Sequence, residues 1–184
     1  MTSILSGVVA SGKTGHLSQP IQGSFDALAT VTVGAGGASS ITFTGIPTTY
    51  THLQLRYIGL ASGTQYGLQV GNGTVDTGNN YSWHEMSGTG SSANAGYTNN
   101  TSQITMNFFT ATSTTYPTAG IIDILDYANT NKYKTVRYLD GEDANSSGQI
   151  TFGSGVWMNT AAITALTINQ NWTQYSSFAL YGVK

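Results

Sequence analysis

Cysteine is absent from the 184-residue chain, proline occurs only 3 times, and charged residues make up only 8% of it. The lack of cysteine excludes disulfides, thiolate nucleophiles and zinc–cysteine sites. Six basic against eight acidic residues give a net charge of -2, so no basic stripe is available to neutralise phosphates. No run approaches the roughly 18 apolar residues of a membrane span. We therefore expect neither nucleic acid nor a membrane as a partner.

What the chain does contain is enough apolar material for a folded core. Hydrophobic residues make up 39% and aromatic residues 11% of the sequence. Because the usual share of charged residues is about 25%, the surface here must consist largely of Ser, Thr, Asn, Gln and Gly. The length is most simply that of one domain.

Period-2 alternation of apolar and polar residues dominates the chain. In residues 51–59, Leu53, Leu55 and Tyr57 alternate with polar neighbours, as in a half-buried strand. Further predicted strands read SFDALATVTV, SITFTGI, YGLQV, QITMNFF, GIIDILDY, KYKTVRYL, GQITF, ITALTI and SSFALYGV. Connectors rich in Gly, Asn and Ser separate them, and no segment carries a capped helical stripe.

These patterns predict an all-β protein, a single jelly-roll-like antiparallel β-sandwich over residues 24–184. Residues 1–23, with scattered glycine and Pro20, are predicted to form an extended N-terminal arm. Residues 71–102 form the longest weakly patterned stretch, and we interpret them as elaborated loops between strands.

Residues 7–14 read Gly-x-x-x-x-Gly-Lys-Thr, the spacing of a phosphate-binding loop. Such a loop needs a buried strand before it and a helix N-terminus after it. Only six residues precede the motif, and Pro20 and Gly23 follow too soon for a sustained helix. We interpret the motif as part of a small-residue arm around Lys13, and we expect no cofactor.

Acidic residues cluster in the segment DGED. Asp140, Glu142 and Asp143 form the best candidate for a hard cation such as calcium, because oxygen ligands suit that ion. The twelve-residue calcium-loop pattern is missing, so we expect a solvated turn and no metal. Asp123 and Asp126 stand three residues apart, which places them on opposite faces of a strand and not as a catalytic pair.

The remaining candidates for catalysis do not assemble in the sequence. His16, His52 and His84 lack metal-ligand spacing, and the segment WHEM has no second histidine four residues on. We place His52 on the polar face of a strand, in a hydrogen-bonding surface role. No serine lies in a nucleophile elbow. We predict no catalytic residues and no enzymatic activity.

Aromatic side chains are the remaining candidates for binding a ligand. Tyr81, Trp83 and Tyr97 fall in the predicted central loops, where rings could stack on sugar faces beside polar side chains. The competing interpretation is that most rings fill the core or a subunit interface, where Tyr and Trp are favoured.

Several long phrases carry a resemblance to a known family: SFDALATVTV, ITFTGIPTTYTHLQLRYIG, IIDILDYANTNKYKTVRYLDG, SGVWMNTAAITALTI and QYSSFALYGVK. They resemble structural proteins of tailed bacteriophages, especially phages of cyanobacteria and other aquatic bacteria. The resemblance covers roughly residues 24–184 and implies a virion protein without catalytic residues.

The resemblance and the composition lead to one functional expectation and one alternative. We expect a capsid cement or decoration protein, a homotrimer bound to the major capsid protein on the outer surface of the head. The predicted contact residues lie in the arm: Met1, Ile4, Leu5, Val8, Val9, Leu17 and Ile21. The alternative is a tail fibre or spike domain that recognises host surface carbohydrate through Tyr81, Trp83 and Tyr97.

Overall fold

The computed structural model describes residues 24–61, 63–107 and 115–184, and these residues contain strands and turns but no helix. The strands are β1 (Phe25–Thr32), β2 (Ala38–Thr44), β3 (His52–Gly59), β4 (Gln65–Gly71), β5 (Tyr81–Gly88), β6 (Ala93–Thr101), β7 (Ile104–Asn107), β8 (Thr118–Leu125), β9 (Lys134–Asp143), β10 (Gly148–Trp157), β11 (Ala165–Trp172) and β12 (Ser177–Val183). The all-β prediction is confirmed.

The strands form two antiparallel sheets that pack face to face as a jelly-roll-like sandwich. The larger sheet has eight strands in the order β1-β12-β3-β8-β9-β10-β5-β6, and the smaller has four in the order β2-β11-β4-β7. Strands β8, β9 and β10 are consecutive neighbours in the middle of the large sheet, joined by continuous antiparallel register. Their outer face is therefore a broad surface supported on a fully paired scaffold.

The core lies between the sheets and follows from the alternation in the sequence. Leu53, Leu55 and Tyr57 of β3 are nearly inaccessible to solvent, as the period-2 pattern predicts. Fully buried aromatic rings join the two sheets, with Trp172 of β11 packed edge-on to Phe178 of β12 at a centroid separation of 4.8 Å. Burial of these large rings contributes to the favourable hydrophobic free energy of folding.

Two glycines of the large sheet make room for tyrosine rings on neighbouring strands. A Cβ at Gly120 would collide with the phenol of Tyr57, and one at Gly153 would collide with the ring of Tyr138. Each tyrosine ring thus occupies the space next to a glycine of the adjacent strand. The glycines are part of the packing of the sandwich and not only of its turns.

One charged side chain lies in the interior, at the start of β9. Lys134 is fully buried, and its ammonium group donates to three backbone carbonyl oxygens, those of Asn129, Lys132 and Thr160, at 2.5 to 2.9 Å. Desolvation lowers the pKa of Lys134 from its ordinary value. The side chain ties the loop before β9 to the loop before β11.

The interpretation of residues 71–102 as loops is wrong. This stretch contains β5 and β6, which pair with each other along most of their length. The hydrophobic pattern is weak because β6 lies at the edge of the large sheet, where both of its faces contact solvent over much of their length. The predicted arm, residues 1–23, lies outside the described residues.

Candidate functional site

A row of exposed apolar side chains crosses the outer face of the large sheet. Ile121, Leu139, Phe152 and Met86 are direct cross-strand neighbours on β8, β9, β10 and β5. Their exposed fractions are 41%, 46%, 49% and 62%, in that order. Side chains in register on adjacent strands lie about 5 Å apart, so the four form one continuous apolar stripe.

A second, parallel row widens this stripe. Ile58 of β3 and Ile150 of β10 are 52% and 59% exposed, and the register between them runs through Ala119 and Gly141. The small residues leave a depression of about 580 Å³ that Ile121, Leu139 and Ile150 border. We call the six side chains of the two rows the apolar face: Ile58, Met86, Ile121, Leu139, Ile150 and Phe152.

One charged side chain, that of Arg56, continues the first apolar row beyond Ile121. The guanidinium of Arg56, next to Ile121 in register, lies 5.0 Å from the ring centroid of Phe25 and 5.2 Å from that of Tyr181. Gln54 accepts a hydrogen bond from Arg56 Nε at 2.6 Å. These contacts hold the charge at the margin of the face.

A polar row runs along the other side of the stripe. Asp123, Arg137, Ser154, His84 and Tyr97 follow one another in register from β8 to β6. The imidazole of His84 stacks on the phenol of Tyr97 with centroids 5.4 Å apart and an interplanar angle of 13°. The outer face therefore presents an apolar stripe with a polar, aromatic-ended border.

On the opposite, inner face of the same sheet, a cluster of polar side chains is enclosed between the sheets. Asp140 of β9 is 4% exposed and accepts hydrogen bonds from the hydroxyls of Tyr57 and Tyr66, which come from the large and the small sheet respectively. The two hydroxyl oxygens also lie within hydrogen-bond distance of each other. Asp140 thus joins the two layers through hydrogen bonds from one tyrosine of each sheet.

Burial changes the ionisation of this cluster. Desolvation raises the pKa of Asp140 to about 7, although the tyrosine hydrogen bonds oppose the shift. Desolvation also raises the pKa of Tyr57 and Tyr66 well above their ordinary value, so both phenols stay protonated donors. The cluster can take up one proton near neutral pH.

A second carboxylate, Glu85 of β5, lies in the same layer. Its oxygens accept hydrogen bonds from the Tyr138 hydroxyl at 3.0 Å and from the Asn107 amide. Its negative charge contributes to the raised pKa of Asp140. Hydrogen-bond donors hold both carboxylates, and Asp140 is enclosed, which is the arrangement of a structural polar network.

The structure assigns different positions to the three predicted sugar-contacting aromatics. Tyr81 is wholly buried, with its hydroxyl donating to the carbonyls of Val70 and Asp76 at 2.8 Å, so its proposed contact with a ligand is wrong. Trp83 projects from the inner face of β5 and is packed against the core. Tyr97 is 66% exposed on the outer face, as expected.

The solvated turn expected for the segment DGED is not formed. Asp140 and Glu142 belong to β9 and not to a turn, Asp140 is enclosed by tyrosines, and Glu142 accepts a hydrogen bond from Thr118 at 3.1 Å. Asp143 is exposed and accepts a hydrogen bond from the backbone of Asn145. No group of three or more potential ligands for a metal ion occurs in residues 24–61, 63–107 and 115–184.

The other sequence candidates remain apart. His52 accepts a hydrogen bond from the Asp126 backbone at 3.0 Å, the surface role expected of it. Asp123 accepts from the Gln54 amide at 2.7 Å. The phosphate-loop lookalike and His16 fall outside the described residues, as do all the arm residues predicted to contact the capsid: Met1, Ile4, Leu5, Val8, Val9, Leu17 and Ile21.

Sequence reasoning missed the apolar face. Its members point to solvent from strands whose alternate residues fill the core, as with exposed Ile121 beside buried Ile122. The available signal was that apolar residues occur on both sides of one strand, in segments such as GIIDI. That signal does not show which strands are neighbours, and the stripe exists only through their register.

Fold and face together define an all-β sandwich with an exposed apolar face on its larger sheet. No protein-family model matches the chain, and no curated protein matches it. Among solved structures, CG-16, a homodimeric agglutinin from chicken liver, is similar at 9% identity with a TM-score of 0.34, over 76% of this chain and 98% of that one. A likeness of that size carries no argument about function. In the described part of the chain, no helix could span a membrane.

Proposed function

We propose that this chain is a non-enzymatic structural protein of a tailed-bacteriophage virion, a cement or decoration protein on the outer surface of the capsid. The observation that supports the proposal is the apolar face, six exposed side chains on the most fully paired part of the sandwich. Large contiguous apolar patches on soluble proteins mark interaction sites. The partner is the major capsid protein.

The physical mechanism is adhesion between neutral surfaces. Covering exposed apolar surface contributes about 25 cal/mol per Å² before the costs of association are subtracted. The six side chains of the apolar face are uncharged and the charges of Arg56 and Asp143 lie at its margin, so covering the six does not itself take a charge out of water. A rigid sandwich that contacts adjacent capsid subunits adds this contact free energy to the resistance of the shell against internal pressure.

Phe152→Lys is expected to weaken binding to capsid shells by roughly 30-fold, because a buried aromatic contact of about 2 kcal/mol is replaced by a charge. Ser154→Lys is the matched control, since Ser154 lies on the same strand and the same outer face but outside the apolar face. Binding is measured by co-sedimentation of purified protein with shells that lack it. Equal binding of both variants would exclude the apolar face as the docking surface.

The place in the particle needs a separate measurement, because head and tail appendages both contain docking domains. Immunogold microscopy of intact virions with antibody to this chain is expected to label the head. Label confined to the tail tip or fibres would contradict the decoration role and favour the second candidate.

The second candidate is a tail fibre or spike domain that recognises host carbohydrate. The stacked pair His84 and Tyr97 supports it, because an exposed ring beside Arg137 and Ser154 combines stacking with hydrogen-bonding groups on one face. This candidate predicts a glycan-array signal that Tyr97→Ala reduces at least about tenfold. Tyr133→Ala is the control, since Tyr133 is also about half exposed. A signal unchanged in Tyr97→Ala would eliminate this site.

A further inference from the structure

The outer edge of β6 is the least protected strand edge of the large sheet. Among the described residues β6 pairs with β5 alone, so the backbone groups on its other side have no strand partner. Its nine residues include no charged residue and no proline. Natural proteins usually block such edges with charges, proline or strong bulges, because open edges recruit further strands.

The opposite edge of the same sheet is blocked. Asp26 on β1 forms an ion pair with Lys184 at 2.9 Å, and a register shift interrupts β1 between Ala27 and Ala29. A copy approaching β1 would meet these charges and an irregular backbone. Strand β6 also has a register shift, opposite Tyr81 and Trp83, where Asn100 has a positive φ of 53°, but its residues 93–98 pair with β5 in continuous register. The edges therefore differ in charge and in the position of the irregularity, and residues 93–98 form the available part of β6.

Strand β6 also extends beyond the cover of the small sheet. Asn94 on its inner side and Ala95 and Tyr97 on its outer side are all exposed. On the neighbouring strand, Trp83 Nε1 is buried and has no hydrogen-bond partner in the described part of the chain. A strand that is exposed on both faces and along one edge gains hydrogen bonds and buried surface when another strand pairs with that edge.

We propose that the occupant of this edge is a second copy of the same chain, with the two β6 strands paired antiparallel about a two-fold axis. In a two-fold contact between two β6 strands, each residue meets a residue of the same strand in the other copy. Because β6 contains no charged residue, this pairing brings no charges together, whereas β1 would bring Asp26 into the contact. Antiparallel pairing of the polar backbone satisfies donors and acceptors on both copies.

The pairing extends the proposed docking surface. The apolar row Ile121, Leu139, Phe152 and Met86 ends in register at Ala95 of β6. Joining two eight-stranded sheets at β6 therefore places both apolar faces on one side of a single sheet. The proposed dimer differs from the trimer expected from the sequence, and its link to capsid binding rests on the proposed function.

The first test is the oligomeric state of the purified full chain by sedimentation equilibrium over a concentration series. We expect a dimer whose dissociation constant rises at least about tenfold in Ala95→Lys, because a charge on a neutral edge opposes its pairing. Ala29→Lys is the matched control, an exposed alanine on the opposite edge strand. A monomer at all concentrations, a trimer, or equal dimers in both variants would overturn the proposal.

The absence of cysteine allows a second test that is independent of stability. Single cysteines placed along β6, at Ala93, Ala95 and Tyr97, are expected to form disulfide-linked dimers with a yield that peaks at the residue nearest the two-fold axis. Ala29→Cys on β1 should stay monomeric. Cross-linking through β1 and not β6 would overturn the proposal. Neither test uses capsids, so a failed dimer and failed capsid docking are distinguishable.

Discussion

Trp172→Ala is expected to lower the free energy of unfolding by about 4 kcal/mol, the usual cost of deleting a fully buried tryptophan. The Trp172 ring contacts Phe178, Tyr57 and Tyr66 at centroid distances of 4.8 to 6.3 Å. It also packs over Gly59, where even a Cβ would collide with it. Its removal leaves a cavity in the layer that joins the two sheets.

The measurement is equilibrium unfolding in denaturant, monitored by circular dichroism. Tyr133→Ala, which removes a half-exposed ring, is the control and should change stability by less than about 1 kcal/mol. If Trp172→Ala fails to fold, Trp172→Phe retains an aromatic ring and is expected to fold with an intermediate loss. A change for Trp172→Ala as small as that of the control would contradict the packing described here.

The contribution of Asp140 to the free energy of unfolding is expected to fall as pH rises from about 4 to about 7. Burial raises the pKa of Asp140 from 3.8 to about 7, so in this range the folded state binds a proton that the unfolded chain has released. The stabilisation is fully present below the pKa that Asp140 has in the unfolded chain. It is lost as pH rises through the pKa that Asp140 has in the folded protein. A shift of about three units corresponds to at most about 4 kcal/mol.

Asp140→Asn removes this titration and keeps the shape of the protonated side chain. We expect its stability to be nearly constant across that pH range and to equal or exceed that of the unmodified protein at about pH 8. Asp143→Asn, an exposed position on the same strand, should keep the original pH dependence. The check is denaturant unfolding at a series of pH values. The same slope in both variants would rule out Asp140 as its source.

Three other aspartates affect the stability of the fold in a different pH range. A hydrogen bond with Lys184 lowers the pKa of Asp26, and one with Lys132 lowers that of Asp126. For Asp76, partial burial opposes the change, but hydrogen bonds from Trp157 and others lower its pKa. Their stabilisation is present above the unfolded value of 3.8 and is lost as pH falls below it. The acid side of the stability profile is thus separate from the effect of Asp140.

Most of the strands could be predicted from the sequence because one face of each is buried. Alternation in residues 51–59 places Leu53, Leu55 and Tyr57 in the core, and the structure confirms all three. The pattern failed for β6, whose exposed alanines and asparagines have no buried face to mark. Edge strands of this kind lose the signal on which sequence interpretation depends.

The candidate site could not be predicted in the same way. The segment DGED resembles a solvated turn in the sequence, and Asp140 was a candidate cation ligand within it. In the structure, β9 continues through the segment to Asp143. Tyr81 looked exposed because its neighbours are polar, yet its ring lies in the core. The environment of Asp140 comes from Tyr57 and Tyr66, which are distant in sequence, and the hydroxyl of Tyr81 contacts Val70 on β4, so local polarity does not show the burial of either side chain.

The sequence by itself determined the β-sheet class, the low charge and the identity of the core residues on most strands, since local alternation encodes which side of a strand is buried. Only the tertiary structure decided that Ile121, Leu139, Phe152 and Met86 stand side by side and that β6 forms an open edge. The physical reason is that strand order and register are set by contacts between residues far apart in the chain. An apolar face formed by register is therefore a property of the assembled sheet and not of any one segment.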